Sequence, residues 1–113
     1  MTLYEHSSLT RKYAEYEDAA ACAVRWANQH GITTAIVRES YSDGVRWWTG
    51  YNAMSWDAML AEGVDPSDIV AFRWANQHAW SDTERDRNQD RLHDLYEAQL
   101  VRDPRAISAA LGG

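Results

Sequence analysis

Asp43-Gly44, set between the runs Ile32 to Glu39 and Val45 to Tyr51, leaves this chain the fewest options. Asp-Gly between β-branched and aromatic runs marks a tight hairpin, because glycine takes the positive φ that such turns need. Ser42-Asp43-Gly44 therefore reads as a turn joining two antiparallel strands, 32–39 and 45–51. Trp47 and Trp48 are neighbours on the second strand and must point to opposite faces. If helices cover one face only, one of these indoles stands on the open face.

The flanks of the hairpin carry a different period. Leu9, Tyr13, Tyr16, Ala20, Val24 and Ala27 share one stripe at helical spacing, so residues 9–30 read as a long N-terminal helix ending at Gly31. Ser55 can N-cap a short helix over 55–62 that stops at Gly63. Residues 68–74 carry two signals. Asp65-Pro66 looks like a helix start, whereas Ile69-Val70-Ala71-Phe72 is a strand-like apolar run, and a third strand is the favoured reading. Ser81-Asp82-Thr83-Glu84 matches a capping box for a charged helix over 82–102. Its first half, Asp82 to Arg91, has no apolar residue, so it should be solvated on all sides and held by pairs such as Asp82 with Arg85, Glu84 with Arg87 and Arg87 with Asp90. A short terminal helix carrying Ile107 and Leu111 should follow Pro104. The expected fold is α+β: a long N-terminal helix, a small antiparallel three-stranded sheet (32–39, 45–51, 68–74) with helix 55–62 inserted, then helix 82–102.

A chain of 113 residues suits a single domain, 1–113, that buries its own core. The lone Cys22 excludes an internal disulfide and, within an alanine-rich stretch, reads as a small buried hydrophobe. The N-terminus lacks the pattern of a signal peptide, and no stretch approaches the roughly 18 apolar residues of a membrane span. The expectation is a soluble protein of a bacterial host cytoplasm. A net charge of −6 argues against direct binding to duplex nucleic acid, which needs a basic face.

Trp56, followed after a short gap by Asp68-Ile69-Val70-Ala71-Phe72-Arg73, resembles the end of a small domain in short phage and prophage proteins of unknown function. There such a strand closes a little antiparallel sheet after a hairpin. The resemblance spans roughly Thr33 to Arg73. It implies a three-stranded sheet and a phage origin, and no activity.

The hexapeptide Arg-Trp-Ala-Asn-Gln-His occurs twice, at Arg25 to His30 and at Arg73 to His78. The flanks of the two copies do not match, which argues against a duplicated supersecondary unit. Two readings stand. Each copy does local work, with Trp packing and the amides satisfying backbone at an element end. Alternatively both converge on one partner surface and offer paired Trp–Arg platforms that stack a planar ligand or grip an acidic partner.

His6, His30, His78 and His93 have no second ligand at helical spacing, so no metal is expected. No nucleophile elbow, P-loop or dinucleotide fingerprint is present, and no cofactor or enzymatic activity is expected. Six tryptophans and six tyrosines exceed what a core of this size needs, and both residue types anchor interfaces. The chain is therefore expected to be a small protein-binding inhibitor or adaptor acting by steric block. Its concrete form is a phage-encoded anti-defence factor, akin to an anti-CRISPR, directed at a host or defence complex. The candidate partner-binding residues are Trp47, Trp48, Arg25, Trp26, Arg73, Trp74, His78, Trp80, Arg85 and Arg87. A small-molecule or nucleotide sponge, or a homo-oligomeric structural component (a homodimer in its simplest form), is the alternative.

Overall fold

The fold is that of a computed structural model, which describes residues 8–102; His6, Ile107 and Leu111 lie outside them. It is α+β, but the expected arrangement is overturned at the N-terminus. Residues Thr10–Tyr13 form a strand, β1, and the first helix, α1, runs only over Tyr16–His30. The hairpin strands follow as β2 (Thr34–Ser42) and β3 (Trp47–Ser55). Helix α2 spans Trp56–Glu62, a 3₁₀ turn covers Pro66–Asp68, and β4 is Ile69–Arg73. A second 3₁₀ turn at Gln77–Ala79 leads to helix α3, Asp82–Arg102. The sheet is antiparallel with four strands, not three, in the order β1-β3-β2-β4.

The reason for the N-terminal correction lies in the free edge of β3. Unless another strand pairs there, its N–H and C=O groups face no partner. Residues 10–13 supply one, pairing Thr10 with Met54 and Tyr13 with Tyr51. Ser55 fixes the start of this strand: its N–H donates to Leu9 O at 2.8 Å, and its Oγ accepts from Leu9 N at 2.9 Å. Long-range pairing overrides the helical spacing of Leu9 and Tyr13, which is only a local signal.

The other elements show why their sequences fold as they do. Ser55 Oγ also accepts from Ala58 N at 3.3 Å and so N-caps α2. Ser81 and Glu84 form the reciprocal capping box before α3. The hairpin loop is longer than a two-residue turn. Asp43 Oδ1 accepts from both Val45 N and Arg46 N at 2.8 Å, which holds these two residues in the loop and delays β3 to Trp47. These amides hold the Asp43 carboxyl below its usual pKa. Gly44, with φ +92°, supplies the positive φ. A register shift after Ile36 skips Val70, which bulges out and stands exposed.

Helices cover both faces of the sheet, but only at one end. Ala19, Cys22 and Ala23 of α1 pack on Ile36 and Ala53, with Trp26, Tyr51 and Ala71 at the margin. Small residues on this stripe let α1 lie close to the sheet, and Thr34 Oγ1 donates to Ala23 O at 2.7 Å. On the opposite face Ala35, Val37, Met54 and Phe72 meet Ala58, Met59 and Leu60 of α2 and Leu92 and Tyr96 of α3. Tyr96 is fully buried, and its hydroxyl approaches Val64 O at 2.8 Å and Met59 O at 3.1 Å. Beyond Val37 the hairpin projects past both helical layers, and apart from the buried Gly50 its residues become half-buried or exposed.

The first half of α3 is not solvated on all sides, as its composition led one to expect. Asn88 is buried, and Gln89 faces the outer edge of β4. Gln89 Oε1 accepts from Phe72 N at 2.6 Å, and its Nε2 donates to Phe72 O at 2.8 Å. One side-chain amide thus takes the place of a fifth strand at that residue. Of the expected pairs, Arg85 with Asp82 forms an ion pair.

Candidate functional site

The projecting hairpin end gathers three exposed large apolar side chains, including the two most exposed among the described residues. Val45 is 88% exposed, Trp47 76% and Trp48 48%. Cross-strand register pairs Ser42 with Trp47 and Tyr41 with Trp48, so the two indoles lie on opposite faces of the ribbon. Both stand clear because neither helical layer reaches this far. Arg38 and Arg46 are exposed on the same hairpin, and Arg11 and Lys12 on neighbouring β1. In these strands and their loop, four cations face two acids, Glu39 and Asp43, although the whole chain carries −6.

A groove of about 450 Å³ runs beside this end, on the face that α2 and α3 cover only nearer the core. Lys12, Tyr13, Ala14, Tyr41, Ser42, Trp48 and Gly50 line it. Alternation and register explain the grouping: Lys12 faces Asn52, Glu39 faces Gly50 and Tyr41 faces Trp48, all on one side of the sheet. Tyr41 and Trp48 lie 6.4 Å apart between centroids and are tilted by 37°. Lys12 Nζ stands 5.5 Å from the Tyr41 ring centre and 3.7 Å from Glu39 Oε2. Gly50 makes the arrangement fit, since a Cβ there would meet Tyr41 Cε2 at 2.5 Å and Tyr13 O at 3.0 Å.

Two polar atoms at this place lack hydrogen-bond partners among the described residues, the Tyr41 hydroxyl and Asn52 Oδ1. Asn52 is 1% exposed, and its Nδ2 donates to Glu39 Oε1. Burial, and next the neighbouring Glu39 carboxylate, raises the Tyr41 hydroxyl pKa above its ordinary value. Glu39 raises it by charge and by a hydrogen-bonding approach that falls short of full hydrogen-bond geometry.

The repeated hexapeptide is split across the fold. Trp26 packs on the α1 face of the sheet, whereas Trp74 is buried in the core on the α2/α3 face. Arg73 turns toward α1, donating to Tyr16 OH at 3.2 Å and to Phe72 O at 2.9 Å. Arg25 is exposed on α1. The copies meet at their equivalent asparagines: Asn28 Oδ1 accepts from Asn76 N at 3.0 Å, and Asn76 takes a left-handed φ of 60°. Gln77 Oε1 accepts from Trp74 N at 3.1 Å. These contacts are the backbone-satisfying work of the first reading, and the two Trp–Arg pairs do not form one platform.

The remaining candidates cluster at the start of α3. Trp80 stacks edge-on against Trp74 at 5.3 Å. Arg85 Nη1 donates to Trp80 O at 2.6 Å and Gln77 O at 3.2 Å, so it fastens the loop rather than standing free. Arg87 is exposed and borders a cleft of about 260 Å³ with Trp80, Glu84, Asn88 and Arg91. His78 is exposed. The candidates thus fall in three places: Trp47 with Trp48 at the hairpin end; Trp74 with Trp80, Arg85 and Arg87 beside α3, His78 lying in the 3₁₀ turn that leads there; and Arg25 with Trp26 on α1, toward which Arg73 turns.

Among the described residues, no group of three or more His, Cys, Asp or Glu could hold a metal ion, and no helix is long and apolar enough to cross a membrane. Comparison with known proteins gives no match, whether to protein families, to curated proteins or to solved structures.

Lys12, Glu39, Tyr41, Gly50 and Asn52 were absent from the candidates read in the sequence. Counting outward from a two-residue Asp43-Gly44 turn would pair Tyr41 with Arg46 and Glu39 with Trp48. The longer loop over 43–46 shifts the register to Tyr41 with Trp48 and Glu39 with Gly50, so the grouping of the groove was not legible in the sequence. Lys12 gave no signal either, because its segment read as helix.

Proposed function

We propose that the protein is a small protein-binding inhibitor or adaptor that acts by steric block and docks through the end of the β2–β3 hairpin. The supporting observation is the exposure of Val45, Trp47 and Trp48 on one projecting ribbon. Leaving such side chains in water has no folding benefit, and tryptophan is a frequent hot-spot residue. The surrounding Arg11, Lys12, Arg38 and Arg46 suit a partner whose apolar cleft has an acidic rim. In the form raised from the sequence, the partner belongs to a host defence complex and the chain is of phage origin. This role involves no chemical step and no cofactor.

The test compares captured proteins. Wild type, the double variant Val45→Ala/Trp47→Ala and the control Leu95→Ala are used as bait in bacterial lysate. A hot-spot loss of about 2 kcal/mol weakens binding by roughly thirtyfold. A stoichiometric partner held by wild type and Leu95→Ala but lost from the double variant supports the role. Retention by the double variant, or no stoichiometric partner at all, refutes it.

A further inference from the structure

The groove beside the hairpin has properties that protein docking does not call for. Its walls are two aromatic rings, Tyr41 and Trp48, set at an angle rather than collapsed onto each other. Its mouth carries Lys12, whose salt bridge to Glu39 is long at 3.7 Å and whose side chain is mostly exposed. Its floor is Gly50, where no side chain fits. By register Asn52 lies between Lys12 and Val37, one row nearer the core than Gly50. Its Oδ1 and the nearby Tyr41 hydroxyl are both buried and, among the described residues, unpartnered.

Both atoms are closed to solvent and Asn52 does not line the groove, so it is the lining itself that points to a ligand. Aromatic walls favour a flat ring, and the lysine favours an anionic substituent. A volume of about 450 Å³ lies in the range of small-molecule sites and accommodates a mononucleotide. We infer that this groove binds a small planar aromatic anion of nucleotide size, with its ring against Trp48 and Tyr41 and its anionic group at Lys12. This inference is independent of the proposed protein docking. Trp48 and Lys12 serve both, whereas Trp47 is on the opposite face and Tyr41 belongs to the groove.

Isothermal titration of the full chain tests it with three probes: adenosine monophosphate, adenosine without the anion, and ribose 5-phosphate without the ring. Adenosine monophosphate should bind, adenosine about tenfold more weakly, and ribose 5-phosphate not measurably. Lys12→Gln should bring adenosine monophosphate down to the level of adenosine while leaving adenosine unchanged. Tyr41→Ala should weaken both, and Trp47→Ala should change neither. Circular dichroism and thermal unfolding check that Lys12→Gln, an exposed change, keeps the fold. Absence of binding by adenosine monophosphate at millimolar concentration overturns the inference. So does an unaltered affinity in Lys12→Gln, or equal losses in Trp47→Ala and Tyr41→Ala. Loss of protein capture in Val45→Ala/Trp47→Ala with nucleotide binding intact separates this site from the docking surface.

Discussion

Replacing Gln89 by alanine should destabilise the protein by about 2 kcal/mol, although the residue lies in the most polar stretch of α3. The figure follows from the groups it leaves behind. Phe72 N–H loses its acceptor at 2.6 Å, and an orphaned, half-buried donor costs about 1–3 kcal/mol. Phe72 O keeps the Arg73 guanidinium at 2.9 Å, so loss of the second bond adds about 1 kcal/mol at most. Alanine returns a few tenths of a kcal/mol in helix propensity. Urea unfolding should show a midpoint lower by about 1 M with an unchanged slope, and thermal unfolding a drop of roughly 8 °C. Gln89→Glu sharpens the test. A carboxylate can still accept from Phe72 N–H, but it sets a second acceptor against Phe72 O, so this near-isosteric change should also destabilise. Hydrogen exchange at the Phe72 amide should accelerate in Gln89→Ala more than exchange at the central amide of Val37. A stability change below about 0.5 kcal/mol, with Phe72 exchange unaltered, would refute the idea that this side chain closes the sheet edge.

Three further outcomes are expected. Trp47→Ala should alter stability by no more than about 0.5 kcal/mol, whereas Trp74→Ala, at 7% exposure within the core, should cost about 3–5 kcal/mol in the same urea titration. Gly50→Ala should destabilise by about 1–3 kcal/mol through its clash with Tyr41 and Tyr13 O, and Tyr41→Ala in the same chain should recover part but not all of the loss, because the backbone oxygen remains. Asp43, Asp65 and Glu84 all have carboxyl pKa values lowered by hydrogen bonds, chiefly from backbone N–H groups. Their stabilisation is present above the ordinary carboxyl range and is lost as pH falls through the lowered values, so the unfolded chain binds more protons there. Glu84→Gln should flatten the acid limb of a stability-versus-pH curve, and an unchanged limb counts against the capping box.

The elements that could be read from the sequence were those whose signals are local. Ser55 before α2, Ser81 with Glu84 before α3 and Gly31 after α1 act within a few residues and have their expected roles, and Gly44 supplies its positive φ although the hairpin loop is longer than the tight turn expected. β1 could not be read this way. Thr10 to Tyr13 is a strand only because β3 offers an edge some forty residues away, and Tyr13 and Tyr16 happen to suit a helical stripe as well. The site shows the same division. Trp47 and Trp48 were visible as neighbours on a predicted strand, but the exposure of both follows from how far the helices extend. Gln89 gave no apolar signal, since its contact is with backbone. Composition made the start of α3 look solvated because hydrogen bonds to a sheet edge leave no hydrophobic trace.

The hexapeptide acts as an internal control within the molecule. Six identical residues, in one solvent and one chain, adopt a continuous helix at Arg25 to His30. At Arg73 to His78 they leave a strand, pass through a left-handed residue and enter a 3₁₀ turn. Their intrinsic preferences are the same in both places, so the difference in backbone comes wholly from what surrounds them. Around the first copy stand the small residues of the α1 stripe and Gly31; around the second stand the pairing of Phe72 with Ala35 and the anchoring of Arg85. The isolated peptide should therefore commit to neither shape. For this segment, conformation belongs to the assembled protein rather than to the six residues.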